Sequence, residues 1–374
     1  MVLWLLAFIP CTIYIVSNKY FNTKIVIAIV FYFSSLIVSA CIGIINGISI
    51  NSIALDLKQF CYFAIILYVS INLKTEKSIN IIKHLLMYSS LILAIIHIIM
   101  AFFLILNIFN FDQLWYFFNI YMMQDSAINN GVSNEIFFKG EYGFIYYKGD
   151  FYLCTGLFFW YYSLKINWKK NLAILIIVIA IFLTGTRGFM LMIFLTLFID
   201  WFLYRKNITF FLIDRYLTIF LFLSFSFLFY LLYAFNREYS LYLGDKELSD
   251  SLRYIQIEEV IKSITFLSFF VGHGLGFGVP SRPDHMEIAF LEIFHKQGII
   301  GIALWVYLIL LVFLLHKKCK NLSFSKPFWL SVLFTYLVSI TNPYMNHPLG
   351  LMMISFSLVS LSSYSQVRNS SLTI

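Results

Sequence analysis

The sequence predicts an all-α polytopic membrane protein, and three observations carry that prediction. Hydrophobic residues make up 61% of the 374 residues and charged residues only 12%, about half the charged share of a soluble globular chain. Mean hydropathy is +0.86. Uncharged runs such as 85–111 and 216–235 are long enough to cross the hydrocarbon of a bilayer. A chain this apolar has too little polar surface for solubility and too much apolar surface for disorder.

Taken in order, the apolar runs at 2–16, 25–45, 55–73, 85–108, 149–166, 171–185, 188–204, 216–235, 298–315, 327–342 and 348–365 predict transmembrane helices. That is about 11 spans, within a range of roughly 10–12, in one integral membrane domain over 1–374. No basic segment precedes the first run, so it is read as a retained helix and not a cleaved signal. Cys11, Cys41, Cys61, Cys154 and Cys319 show no CxxC spacing and read as packing residues.

Alternating the connections collects Lys74, Lys77 and Lys83, then Lys165, Lys169 and Lys170, then Lys317, Lys318, Lys320 and Lys326 on one side. The acids on that side are Glu76, Asp200 and Asp214. The positive-inside rule makes it cytoplasmic, with the N-terminus outside and the C-terminus inside. The net charge of +8 is therefore an orientation signal, and no nucleic-acid partner is needed to account for it.

Two long loops then lie outside, 109–148 and 236–297. The first carries Trp115, Tyr116, Tyr121, Tyr142, Tyr146 and Tyr147, aromatic residues suited to headgroup depth. In the second, Leu252, Ile255, Ile257, Val260, Ile261 and Ile264 recur at helical spacing after Ser249 and Asp250, two good N-cap residues. This predicts an amphipathic helix at the outer membrane face, with Arg253 in its first turn, where a basic residue opposes the helix dipole. No internal repeat is visible, which weighs against an inverted-repeat transporter.

Four sites could carry chemistry. Thr184-Gly185-Thr186-Arg187-Gly188 reverses the chain between two apolar runs. Arg187 there either snorkels to headgroups or binds a phosphate with its planar fork. Arg253 needs an anionic ligand or a pairing acid to offset its position, or is simply solvated; Glu258 with Lys262 reads as an ordinary i,i+4 pair on a solvated face with Glu259.

Gly272-His273-Gly274-Leu275-Gly276-Phe277-Gly278 is a glycine-dense stretch outside any βαβ context, so it is no dinucleotide fingerprint. With Arg282 it forms a candidate substrate loop, flexible or close-packed, that lets backbone approach a ligand. Finally, Asp284 to Gly298 runs straight into an apolar helix. If helical, it puts His285 and Glu292 on one face and Glu287 with Leu291 on another. Partly desolvated carboxylates and histidines make general bases, although Asp284, Glu287 and Lys296 could equally be interfacial anchors. No HExxH or paired His/Cys spacing supports a metal.

The TGTRG turn, a later large outer loop with an arginine-bearing helix, a glycine-rich segment and a helix carrying GxxG together resemble the O-antigen polymerase and O-antigen ligase superfamily over roughly 171–316. The resemblance implies a membrane glycosyltransferase of the lipid-sugar (GT-C-like) type, acting in the bacterial inner membrane with 236–297 as a periplasmic catalytic loop. Its implied partners are undecaprenyl-pyrophosphate-linked oligosaccharide donor and acceptor, the lipid bilayer, and a chain-length regulator and flippase. It places pyrophosphate binding on Arg187 and Arg253, with Glu287, or His285 as second choice, as the base. It implies inverting transfer with no cofactor, no metal and no nucleotide sugar.

The family's ligases resemble H-N-x-x-L-x-x-x-x-x-x-G, and counting back from Gly298 puts Glu287 in the histidine position, with His285 two residues earlier. That departure favours a polymerase over a ligase that moves glycan to lipid A-core. A lipid-linked sugar transporter is the more distant alternative.

Overall fold

The computed structural model describes residues 23–73, 75–106, 108, 113, 136–139, 144–162, 168–204, 241–319 and 321–370. Each expected apolar segment within these residues contains a helix; those at 2–16 and 216–235 lie outside them. The described residues fall into two compact units, one within Met1–Ile82 and Leu243–Ile374, the other within Lys83–Tyr242.

In chain order the helices are α1 (Thr23–Ile45), α2 (Ile50–Phe60), which continues through a 3-10 turn at Cys61–Ala64 into α3 (Ile65–Asn72), and α4 (Glu76–Ile105). Strands β1 (Ile136–Lys139) and β2 (Phe144–Tyr147) pair antiparallel, a small departure from an all-α chain. There follow α5 (Phe151–Tyr162), α6 (Trp168–Leu183), α7 (Arg187–Tyr204), α8 (Leu241–Ser263), α9 (Phe266–Val271), α10 (Ala289–Lys318), α11 (Leu322–Val338) and α12 (Pro348–Ser370).

Among the described residues, Thr23–Ile45, Ile50–Asn72, Glu76–Ile105 and Ala289–Lys318 are long and apolar enough to cross a membrane. Their outer surfaces are apolar as well: on α1, Phe31 is 61% exposed and Ile37 64%. Helices, which close most of their backbone bonds internally, suit hydrocarbon as solvent.

In the first unit α10 packs against α1, α11 and α12. Tyr32 donates to the Phe60 carbonyl at 3.1 Å and Tyr336 to the Trp305 carbonyl at 2.7 Å, so each buried phenol is satisfied. In the second unit, the Trp160 indole donates to the Met87 carbonyl at 2.7 Å. There Tyr162 donates to Asp200 at 2.7 Å, and buried His97 and Asp150 pair at 3.3 Å.

Helix α10 is broken at Gly298, whose φ of 66° lies in the left-handed region. A break strands carbonyls that the helix would otherwise use, and the glycine-rich loop takes them. His273 N–H bonds the His295 carbonyl at 2.8 Å and Gly274 N–H the Lys296 carbonyl at 3.0 Å, which the Ser39 hydroxyl of α1 also reaches at 2.9 Å. Backbone meets backbone so closely that a Cβ at Gly274 would lie 2.2 Å from Gly43 N, and one at Gly272 2.3 Å from the Lys296 carbonyl carbon. At Gly276 it would crowd Ile53 N at 2.8 Å. The close-packed alternative therefore describes this loop, and what its glycines admit is the protein's own backbone.

One boundary differs from expectation with consequences for the site. Helix α8 begins at Leu241, so Ser249 and Asp250 lie inside it and Arg253 sits in its middle. The predicted conflict with the helix dipole does not arise. The inward face of α8 is largely polar: Gln256 is buried beside Val260, while Ile261 is 61% exposed.

Gly274 and Gly47 both have positive φ, at 95° and 76°, but only Gly47 has open space around it. Gly274→Ala should lower stability by about 3 kcal/mol or more, from overpacking added to strain. Gly47→Ala should cost only the strain, about 1 kcal/mol. Thermal unfolding of the detergent-solubilised protein distinguishes the two.

Candidate active site

The C-terminal end of α1, the N-terminal ends of α2 and α10 and the turn between α11 and α12 converge in the first unit. At their centre is Lys296, a fully buried lysine. Its Nζ lies 2.9 Å from Asp56 Oδ1, 2.6 Å from Glu292 Oε1 and 3.0 Å from the Asp284 carbonyl. An ammonium has three donors, and all three are used.

The carboxylates are completed by neutral donors. Gly276 N–H bonds Asp56 Oδ2 at 2.6 Å, and Asn346 Nδ2 bonds Glu292 Oε2 at 2.7 Å. Glu292 also falls in the first turn of α10, where the helix dipole favours a negative charge.

His285 closes the network toward solvent. Its Nδ1 is 3.2 Å from Glu292 Oε1 and 3.6 Å from Asp56 Oδ1, and its side chain is 42% exposed. The Glu292 hydrogen bond holds the imidazole above its ordinary pKa, against partial burial, which acts the other way. Donation from Nδ1 to a carboxylate leaves Nε2 as the basic nitrogen. The expected pairing of His285 with Glu292 is present, but not on one helix face: α10 begins at Ala289, and His285 folds back from the preceding loop.

Glu287 takes a different position. Arg253 Nε lies 3.0 Å from its Oε2 and Arg282 Nη2 2.9 Å from its Oε1, so both oxygens face guanidinium groups. Its backbone N–H donates to Gln256 at 3.1 Å. The loop that bears Arg282 is a tight turn closed by reciprocal Val279 and Arg282 backbone bonds. Glu259 clamps it by accepting from the Ser281 hydroxyl at 2.6 Å and its N–H at 3.2 Å. Glu259 is thus a bound partner and not part of a solvated face; Glu258 and Lys262 do form the exposed i,i+4 pair, at 2.6 Å.

Arg187 belongs to the second unit. It is exposed and opens α7 after a turn in which Gly185 has φ 58° and Thr184 Oγ1 accepts the Thr186 N–H at 3.1 Å. His273 stacks on Phe277, with ring centroids 4.9 Å apart, and lies 4.7 Å from the ring of His295. Partial burial lowers its pKa.

Ligand atoms of Asp56, His285 and Glu292 lie within 4.8 Å of one another, close enough to hold a metal ion. The Lys296 ammonium already sits on both carboxylates, however. These three are read as an ion-pair network and not as metal ligands.

Beside the network, a cavity of about 400 Å³ runs between α1 and α10, lined by Phe31, Val38, Ile300, Leu304 and Tyr307. It meets the helix break at Ser39 and Gln297.

Asp56 and Asn346 were not singled out from the sequence. Asp56 lies in an apolar stretch, and an ionisable residue inside a candidate span is a signal of function in itself. Asn346 offered no signal.

A helical chain with membrane-length apolar helices and a buried charged network at their ends is consistent with a membrane protein that does chemistry at its boundary. The chain is 27% identical over 337 residues to the O-antigen polymerase of Shigella flexneri, covering 87% of this chain and 78% of that protein. That similarity supports the O-antigen polymerase family. No family model and no solved structure matches the chain.

Because folding raises the His285 pKa, the folded state holds that proton more tightly than the unfolded one. The resulting stabilisation is fully present below the ordinary histidine value of about 6.5 and is lost as pH rises through the raised value. His285→Gln should therefore destabilise most at acidic pH. Its denaturation midpoint should approach that of the unmodified protein as pH increases.

Proposed function

We propose that this chain is a surface-polysaccharide polymerase that joins undecaprenyl-pyrophosphate-linked oligosaccharide repeat units at the periplasmic face of the bacterial inner membrane. The observation that carries the reading is the pair of adjacent clusters: an outward imidazole backed by buried carboxylates, next to two guanidinium groups held on one acid. A transfer from a diphosphate donor needs those two things, a proton acceptor and a grip on the leaving anion.

In the proposed step the acceptor hydroxyl oxygen attacks the anomeric carbon from the side opposite the diphosphate, inverting that centre. Its proton passes to His285 Nε2. The bond from anomeric carbon to diphosphate oxygen breaks, and the lipid diphosphate leaves with the electron pair. Arg253 and Arg282 exchange Glu287 for the diphosphate; Arg187, in the second unit, is a phosphate-binding candidate in its own right. Arginine's fork suits that anion, so no metal or cofactor is required.

We favour His285 over Glu287 as the base. Glu287, engaged by two guanidinium groups, holds the arginines ready, whereas His285 presents a free basic nitrogen. The apolar cavity between α1 and α10 ends at the same helix break and suits the prenyl chain of the carrier. Exposed Ile261 and Phe266, at 61% and 86%, suit a loop resting on the outer leaflet.

The test is a product ladder from purified protein and a single lipid-linked repeat unit in EDTA. We expect a ladder without metal, a loss of about 10²–10⁴-fold in kcat for His285→Gln, and a loss of about 10-fold for Glu287→Gln, chiefly as a higher KM. Abolition by chelator would overturn the metal-independent step. Product only after lipid A-core is added would mean a ligase, and no covalent product with any acceptor a transporter.

Ile300→Trp, which narrows the apolar cavity, should raise KM several-fold for the undecaprenyl-linked substrate and leave a short-prenyl analogue unaffected. Equal effects on both would remove the cavity from substrate binding.

A further inference from the structure

The buried network carries an unequal count of charges. Asp56 and Glu292, with side chains 3% and 1% exposed, share a single ammonium, that of Lys296. Asp56 is bonded as a carboxylate: one oxygen accepts from Lys296 Nζ and the other from Gly276 N–H. Glu292 likewise accepts from Lys296, His285 and Asn346. The remaining members, the Gly276 N–H, the Asn346 amide and the Asp284 carbonyl, are neutral, so one negative charge is left over.

A surplus charge in a site closed to water is costly unless something nearby can become positive. The charged groups facing His285 are Glu292 and Lys296 on α10 and Asp56 on α2. Together they bring the imidazole one net negative charge. Protonating His285 brings the cluster to neutrality.

We propose that Asp56 is a positioning residue for the reaction: it supplies the charge that Lys296 leaves uncompensated, and so makes His285 the group on which the acceptor's proton lands. Asp56 touches no reacting atom in this scheme and acts through His285. In the step itself the acceptor O–H breaks and a new N–H forms at Nε2, while Nδ1–H stays donated to Glu292. The imidazolium returns its proton to water after the diphosphate has left. The inference rests on His285 as the base, and it adds that a residue 240 positions away in sequence from Lys296 sets how readily that base takes a proton.

The experiment measures two quantities on the full-length protein in nanodiscs. One is the titration midpoint of His285, followed by NMR of ring-labelled histidine and assigned by its loss in His285→Gln. The other is the acid limb of kcat/KM for chain extension. Asp56→Asn, which cancels the surplus, should lower the midpoint by about 1 pH unit or more and move the acid limb down with it. The double variant Asp56→Asn/Lys296→Gln removes one charge of each sign and leaves no unpaired ammonium, so it should return the midpoint to within about half a unit of the unmodified protein. Asp56→Glu, which keeps the charge, should retain it.

An unchanged midpoint in Asp56→Asn, or a double variant displaced further than the single one, would overturn the inference and leave Asp56 a packing partner only. Midpoints that move as expected while the acid limb stays in place would instead overturn His285 as the base, and with it the catalytic meaning of the coupling. The two failures are read by different measurements.

Discussion

The Lys296 ammonium is the constraint around which the candidate site is built. Burying it without partners would cost several kcal/mol, and its partners come from three separate stretches: Asp56 on α2, Glu292 one turn earlier on α10 and the Asp284 carbonyl in the preceding loop. Satisfying one cation therefore fixes where two helices and a loop meet. The break at Gly298 follows closely, and the carbonyls left open near it are taken by His273, Gly274 and Ser39. The glycine loop is thus tied to α10 at the same place as the charge network. Loop and network support one another: Gly276 N–H is a ligand of Asp56.

The positive groups divide by chemistry. Lysine, with a compact charge, sits inside and balances carboxylates; arginines 253 and 282, with planar forks, sit toward solvent and share Glu287. Buried charge gathers beside His285, and the fork-like charge on Glu287 is partly exposed. A lysine at position 253 would lose the bidentate geometry that phosphate rewards.

The helices were legible because hydrophobic run length is a strong signal. Boundaries were less so. Ser249 and Asp250 looked like caps, yet a cap preference of about 1 kcal/mol did not stop α8 from starting at Leu241, and Arg253 consequently lost its expected role opposing a dipole. The link between His285 and Glu292 was anticipated from helical spacing but arises from a loop folding back. Lys296 has a local cue in Glu292 four residues before it, but Asp56 has only its charge in an apolar stretch, and nothing in a linear sequence reports a contact across 240 positions.

The start of α10 also bears on the difference from the ligase pattern. Counting back from Gly298 to the histidine position assumes that the intervening residues keep a regular helical register. Here the helix begins at Ala289, and residue 288 is already extended, with φ −99° and ψ 108°. Beyond that point a count of residues no longer fixes direction: Glu287 turns toward Arg253 and Arg282, and His285, two residues farther out, reaches Glu292. A glutamate at the counted position therefore still leaves a histidine beside the buried carboxylates. The fold of the loop sets which side chain meets the buried carboxylates, and in this chain it is His285.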